Sequence, residues 1–117
     1  MPENKKILII DDETDLCLLL KEYFVKKHYE VILSHTLMEG THLLEYAKPD
    51  ILFLDNKLPD GSGWGIAPQI AADFPATYIV LVSAFHPKKP EMPAGSHFRI
   101  IEKPIRFSDL DKQFANA

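Results

Sequence analysis

Short, strongly apolar runs alternate along this chain with longer amphipathic stretches, and this alternation restricts the folds that it can adopt. Residues 7–10 and 51–54 are continuous apolar runs, typical of strands that are buried on both faces of a sheet. Similar runs at 29–33, 78–82 and 98–101 predict three more strands. Helices that alternate with strands require right-handed crossovers, so we predict a parallel sheet between two layers of helices.

The amphipathic stretches predict the helices. In the first, apolar side chains recur at i, i+3, i+4, i+7 and i+8, which places them on one face: Leu16, Leu19, Leu20, Tyr23 and Phe24. The second helix is predicted over 36–47. The third follows the turn-rich loop at 58–63 and runs to about residue 74, with Pro68 near its first turn. The last is predicted to begin at an N-cap, Ser108, with Asp111 three residues later.

Between the fourth and fifth predicted strands, where a further helix is due, proline occurs at every third residue. Pro87, Pro90 and Pro93 cannot share one helix, since each proline inside a helix costs about 3 kcal/mol or more. We therefore expect the fourth helix of a regular alternation to be absent or reduced to a loop. An irregular surface loop and a polyproline II strut that docks a partner both fit the spacing.

Length, charge and cysteine content limit the classes of function that the chain can have. With 117 residues the chain has the size of one domain, and we predict a single domain over 1–117. Its net charge of −4 gives no sign of a basic surface, so we expect no nucleic-acid binding by this chain. The apolar run after Lys6 lasts only four residues, too short for a signal peptide or a membrane span. We therefore predict a cytoplasmic protein without membrane contact, and a buried thiol for Cys17, its only cysteine.

Polar side chains lie at the ends of four predicted strands: Asp11, Asp12, Asp55, Ser83 and Lys103. In an open parallel sheet these positions share the carboxyl edge, where such folds bind ligands. Three close carboxylates require a hard cation such as Mg²⁺, while an ammonium and a hydroxyl suit phosphate oxygens. Because a carboxylate can act as a nucleophile, the set indicates phosphoryl transfer. Taken alone, the two adjacent aspartates fit a helix N-cap equally well.

Four segments contain these polar residues: ILIIDDE, ILFLDNKLPDGSG, VLVSA and IIEKPI. They resemble, in turn, the acidic first strand, the phosphoacceptor strand and loop, the Ser/Thr-Ala motif and the Lys-Pro motif of bacterial response regulator receiver domains, the CheY-like family of two-component systems. The likeness covers nearly the whole chain. It implies an α/β fold of flavodoxin-like, doubly wound type, with a five-stranded parallel sheet of order 2-1-3-4-5 and normally five helices.

Carried over by position, the resemblance makes Asp55 the phosphorylated aspartate. Ser83 would hydrogen-bond the phosphoryl group after transfer, and Lys103 would pair with it. The peptide bond between Lys103 and Pro104 would be cis, as it is in the family.

The resemblance also implies a Mg²⁺ site. Asp12 would bind the ion directly and Asp11 through a water molecule, with the Asp55 carboxylate and the backbone carbonyl of Lys57 completing the protein ligands. Two interpretations of the Lys57 side chain stay open. It is either a solvated surface lysine, or its ammonium reaches the acidic cleft and replaces part of the Mg²⁺ charge.

A phosphoacceptor switch is the function that the resemblance implies. The phosphoryl group would come from a histidine kinase or a histidine phosphotransfer protein, and its arrival would change the conformation of the 83–103 region. Such a domain is not an enzyme in the usual sense, since it catalyses only its own phosphorylation and dephosphorylation. The signal produced by phosphorylation would pass on through a homodimer or a downstream output domain. The alternative is a degenerate receiver that binds a protein partner without phosphorylation.

Two positions depart from the family pattern. Receivers usually have Tyr or Phe three residues before the lysine, where this chain has Ile100, and the proline segment takes the place of the fourth helix. Both positions belong to the surface through which phosphorylated family members dimerise or signal. We therefore expect the loop over 84–96, rather than a helix, to respond to phosphorylation.

Overall fold

A computed structural model describes residues 5–84 and 88–115 of the chain. Its strands, in chain order, are β1 (Lys6–Ile10), β2 (Glu30–Ser34), β3 (Ile51–Asp55), β4 (Lys57–Leu58), β5 (Gly61–Ser62), β6 (Tyr78–Ser83) and β7 (Phe98–Glu102). The five long strands form one parallel sheet in the order β2-β1-β3-β6-β7, while β4 and β5 form a small antiparallel hairpin. Counting the long strands alone, this is the predicted order 2-1-3-4-5.

Helices cover both faces of the sheet: α1 (Thr14–Lys26), α2 (Leu37–Ala47), α3 (Gly63–Asp73) and α4 (Phe107–Phe114). Buried side chains of α1 and α4 pack on one face, and those of α2 and α3 pack on the other. The flavodoxin-like, doubly wound α/β fold is therefore confirmed. None of the helices in the described part of the chain is long and apolar enough to cross a bilayer.

The central strands are apolar throughout because both of their faces are covered. Every residue from Ile7 to Ile10 is fully buried. Ile7 and Ile9 face the α1 and α4 layer, and Leu8 and Ile10 face the α2 and α3 layer, as the two-residue period of a strand requires. The continuous apolar run is thus explained, since no residue from Ile7 to Ile10 meets water.

No helix lies between β6 and β7 among the residues that the structure describes there, Ala84 and 88–97. The segment turns at 94–95, where Gly95 has a positive φ of 81°, and the Ser96 hydroxyl donates to the Pro93 carbonyl at 2.6 Å. Met92 packs against the cluster on the α2 and α3 side of the sheet. The predicted loss of the fourth helix is confirmed, whereas residues 85–87 lie outside the described part of the chain.

The predicted start of the last helix is wrong by two residues. The N-cap of α4 is Arg106 rather than Ser108, and Phe107 is the first helical residue. The Asp109 carboxylate, in the third position of the helix, accepts from the Arg106 backbone N–H at 2.9 Å. This acidic side chain fixes the start of the helix, although the serine is the better N-cap by residue type.

The proline of α3 also lies deeper in the helix than predicted. The helix begins at Gly63 because the Ser62 hydroxyl accepts from the Gly65 backbone N–H at 3.1 Å. Pro68 is therefore in the second turn, where it cannot donate to the carbonyl of Trp64.

Asp60, in the turn of the β4–β5 hairpin, caps the N-terminus of α2. Its two carboxylate oxygens accept from the backbone N–H groups of Leu37 at 2.7 Å and Met38 at 2.9 Å. These hydrogen bonds lower the pKa of Asp60 below its ordinary value of 3.8. The hairpin that follows β3 is thus held against the preceding helix.

Removing this cap is expected to destabilise the chain in a pH-dependent way. Since the folded pKa of Asp60 is lowered, its contribution is complete above the ordinary carboxyl pKa and is lost as pH falls through the lowered value. Asp60→Ala should lower the urea midpoint at neutral pH, and the difference from the parent should shrink at acid pH. Glu45→Ala, which removes an exposed acid from α2, is the control. Equal midpoints for Asp60→Ala and the parent at neutral pH would contradict the cap.

Candidate functional site

Three carboxylates meet at the carboxyl edge of the sheet. Asp11 and Asp12 follow β1, and Asp55 is the last residue of β3; one carboxylate oxygen from each lies within 4.8 Å of the others. Asp11 and Asp55 are buried, with 2% and 5% of their surface exposed, whereas Asp12 is exposed. The structure therefore brings together the three predicted acidic residues.

The backbone around Asp11 holds this carboxylate in place. Its N–H donates to the carbonyl of Ser34 at 3.0 Å, which extends the pairing of β1 with β2 by one residue. Its side chain accepts from the Glu13 backbone N–H at 2.8 Å and so turns the chain into α1. Its carbonyl oxygen lies 3.3 Å from the Cys17 sulfur and 2.9 Å from Nδ1 of His35. Cys17 is buried, as predicted.

Lys103 brings a positive charge to the carboxylates. Its ammonium nitrogen lies 3.2 Å from an Asp11 oxygen, 3.5 Å from an Asp55 oxygen and 3.0 Å from a Glu13 oxygen. The Lys103 backbone N–H donates to the carbonyl of Ser83 at 2.8 Å, which ties the ends of β6 and β7 together. The peptide bond to Pro104 is cis, as the sequence resemblance implies.

The acidic groups of the site disfavour each other's ionised forms. Burial is the main cause that raises the pKa of Asp55 to about 6, and the charge of Asp11 adds to it; Lys103 and the Asn56 N–H oppose the shift. Burial also raises the pKa of Asp11. For Lys103, burial is the largest single cause and lowers the pKa, but its acidic contacts outweigh it and the pKa is raised. A site with more carboxylates than ammonium groups suits a cation.

The donor set fits a hard divalent cation. All three side chains offer carboxylate oxygens, and within the described part of the chain the cluster includes no nitrogen or sulfur ligand. Oxygen ligands with high negative charge favour Mg²⁺ over softer metals. The site therefore has the chemistry that the predicted Mg²⁺ requires.

An open cleft of about 450 Å³ gives access to these groups. Ser83, the last residue of β6, lines it together with Asp55 and Lys103. Lys57 lines the same cleft from β4, and its side chain is exposed. This exposure fits the solvated surface lysine of the first interpretation.

Gly63 supports the site although sequence reasoning gave it no role. A Cβ at this position would overlap the backbone carbonyl oxygen of Asp55 and would lie 2.9 Å from Leu54 Cδ1. The Gly63 N–H also donates to the carbonyl of Asn56 at 2.9 Å. The signal that could have revealed it is the second glycine of GSG, eight residues after the aspartate.

Comparison with known proteins shows the family. The model of the family described as "Response regulator receiver domain" matches residues 7–115. The chain belongs to this family. Among curated relatives, this receiver is 27% identical over 82 residues to Sporulation initiation phosphotransferase F of Bacillus subtilis (strain 168), covering 70% of the chain and 66% of the relative. It is also 27% identical over 116 residues to Response regulator protein PilR of Pseudomonas aeruginosa, covering 97% of the chain but only 26% of that longer protein.

A solved structure supports the same conclusion. The CheY-like response regulator receiver domain protein from Methanospirillum hungatei JF-1 superimposes with a TM-score of 0.84 at 26% identity, over 97% of this chain and 92% of that one. Ile100, one of the two positions where the sequence departs from the expected pattern, lies on β7. Ile100 is half-buried and packs against the same cluster as Met92 and Phe98.

Proposed function

We propose that this receiver accepts a phosphoryl group on Asp55, with Mg²⁺, from a histidine kinase or a histidine phosphotransfer protein in the cytoplasm. The observation that supports the proposal is the surroundings of the Asp55 carboxylate. It lies in an open cleft, 3.5 Å from the Lys103 ammonium and within 4.8 Å of two further carboxylates. A nucleophile, a fixed positive charge and a group of oxygen ligands are the parts that phosphoryl transfer to a carboxylate needs.

In the proposed reaction, an Asp55 carboxylate oxygen attacks the phosphorus of a phosphohistidine. The O–P bond forms as the N–P bond breaks, and the imidazole leaves with the electron pair of that bond. Lys103 and the Ser83 hydroxyl donate hydrogen bonds to the phosphoryl oxygens, whose negative charge must be offset throughout the transfer. The chain thus catalyses only its own modification and its reversal.

Asp12, Asp55 and the Lys57 carbonyl would hold the Mg²⁺ directly, and Asp11 would hold it through water. When bound, the ion supplies positive charge for the carboxylates and the phosphoryl oxygens. Asp11 is the residue that orients the remaining groups, since its side chain contacts Lys103 and its backbone fixes the end of β1. Output through the 83–103 region, to a homodimer or a downstream domain, is part of the proposal.

Incubation with acetyl phosphate tests the function directly. With Mg²⁺ present, intact-mass spectrometry should show the gain of one phosphoryl group, and chelation of the metal should prevent it. Hydroxylamine should remove the group, because an aspartyl phosphate is a mixed anhydride and a serine phosphate is not. A chain that gains no mass with Mg²⁺ present would instead support the degenerate receiver that binds a partner without phosphorylation.

Loss of Asp12 is expected to weaken Mg²⁺ binding by more than about tenfold, since one direct carboxylate ligand disappears. The measurement is a Mg²⁺ titration of Asp12→Ala followed by the amide NMR signals of the loop after Asp55. Asp15→Ala, which removes an exposed acid from the first turn of α1, is the matched control. Equal affinity of Asp12→Ala and the parent would contradict the ligand assignment.

Phosphorylation is expected to change the hydrogen exchange of the loop between β6 and β7 more than that of any helix. In this loop, none of residues 88–96 is fully buried, and the half-buried Met92 packs against the apolar cluster on the α2 and α3 side of the sheet. A loop with so few buried contacts can reorder at low cost, and its prolines limit the entropy that ordering removes. Exchange should be compared with and without beryllofluoride, a phosphate mimic. Unchanged protection over 88–96, with changes in α4 instead, would show that the signal leaves by another route.

A further inference from the structure

The side chain of Glu13 does not make the hydrogen bond that is usual at its position in the chain. It is the N-cap residue of α1, where a side chain usually accepts a hydrogen bond from the first turn. No such bond forms here, and the Glu13 side chain is 57% exposed. Its carboxylate instead reaches over the cleft to Lys103, at 3.0 Å. The side chain is therefore available for a role in the site.

Among the residues that the structure describes, Lys103 has three acidic neighbours, and Glu13 is the nearest of them. The distances from the ammonium nitrogen are 3.0 Å to Glu13, 3.2 Å to Asp11 and 3.5 Å to Asp55. A lysine ammonium has only three N–H donors. When a phosphoryl group arrives on Asp55, its oxygens can take the N–H that now faces the Asp55 carboxylate, but Lys103 can donate a second N–H to them only by giving up Glu13 or Asp11.

Glu13 is the partner that Lys103 can leave at the lowest cost. Asp11 is buried, so separating it from the ammonium would leave an uncompensated charge inside the protein. Glu13 is mostly solvated, and water replaces the ammonium around its carboxylate. Its negative charge also faces the cleft through which a phosphoryl donor must enter.

From this geometry we propose that Glu13 is a positioning residue that competes with the phosphoryl group for Lys103. In the unphosphorylated receiver it draws the ammonium toward the mouth of the cleft, and it releases the ammonium when the phosphoryl group is present. The inference rests on the proposed function, since it assigns a competitor for the same lysine. Its consequence is that Glu13 weakens the binding of phosphoryl groups and their mimics.

The affinity for beryllofluoride at saturating Mg²⁺ tests this competition. Glu13→Gln should bind beryllofluoride about two- to fivefold more tightly than the parent, the range expected for an exposed ion pair. Asp15→Asn removes an exposed negative charge from the same end of α1 and should leave the affinity unchanged. In a Lys103→Ala background, Glu13→Gln should have no effect, because the competition requires the lysine.

A second measurement does not depend on the phosphoryl mimic. The side-chain NMR signals of Lys103 should shift in Glu13→Gln without beryllofluoride and stay in place in Asp15→Asn. Weaker or equal beryllofluoride binding by Glu13→Gln would overturn the inference, as would equal tightening in Asp15→Asn or in the Lys103→Ala background. If the parent itself binds no beryllofluoride, the proposed function fails and the inference fails with it. If the parent binds and Glu13→Gln gives no gain, the inference alone fails.

Discussion

Asp55→Asn is expected to abolish covalent labelling by acetyl phosphate, because an amide oxygen does not act as a nucleophile toward phosphorus. The folded chain should tolerate the change. The pKa of Asp55 is raised to about 6, mainly by burial, so its ionised form opposes folding at neutral pH. A neutral side chain of the same shape should therefore keep or increase the free energy of unfolding in metal-free buffer. The loss of labelling would then show that the nucleophile is missing, and not that the chain is unfolded.

Intact-mass spectrometry and a urea titration on the same samples separate the two effects. Asp15→Asn, which removes an acid outside the cleft, should be labelled as fully as the parent and serves as the control. Lys103→Ala should keep the acceptor but respond more weakly, since this lysine stabilises the charged group. Labelling of Asp55→Asn at another residue would move the phosphoacceptor site.

The fold and the core of the site follow from patterns that the sequence shows locally. A run such as Ile7 to Ile10 in β1, apolar at four successive positions, must be covered on both faces, and this alone predicts a central strand between two helical layers. The carboxyl ends of neighbouring parallel strands share one edge, so Asp11 and Asp55 had to be close. Lys103 follows the edge strand, and the same rule predicted its place at the carboxyl edge of the sheet. Its contact with Glu13 was not predicted.

One feature that was missed depends on a contact between distant parts of the chain. The carboxylate of Asp60 caps a helix that begins 23 residues earlier, and no local pattern indicates this pairing. The start of α4 was misplaced because Ser108 is the stronger N-cap by residue type. Burial of Leu110 and Phe114 sets which face of the helix meets the core, and that orientation belongs to the tertiary structure.

Gly63 shows how such a contact constrains the site. The position is helical, so a glycine there is unfavourable by local propensity and its presence needs a reason. The reason is the close approach of α3 to the end of β3, where the Asp55 carbonyl oxygen occupies the space of a Cβ. That segment cannot easily move away, because the next N–H, of Asn56, donates to the carbonyl of Val82 at 3.0 Å.

Gly63→Ala is therefore expected to lower the free energy of unfolding by about 1–3 kcal/mol, the usual cost of overpacking a filled core. Gly65→Ala, two residues later in the same helix, should instead raise the free energy of unfolding. A Cβ at Gly65 would meet only Ser62 atoms at 3.6 Å, an ordinary contact, so the variant should gain up to about 1 kcal/mol of helix propensity. Urea titration of both variants against the parent gives the two values directly.

The same two variants also test whether the packing around Gly63 affects the phosphorylation of Asp55. An alanine methyl group at Gly63 can be accommodated only by displacing Asp55 or Leu54, so labelling by acetyl phosphate should slow in this variant even where it is fully folded. Gly65→Ala should be labelled at the parent's rate, since its side chain meets neither residue. A Gly63→Ala chain as stable as Gly65→Ala would show that α3 can move away from β3. One that is less stable but labelled at the parent's rate would show that Leu54, and not the phosphoacceptor, absorbs the displacement.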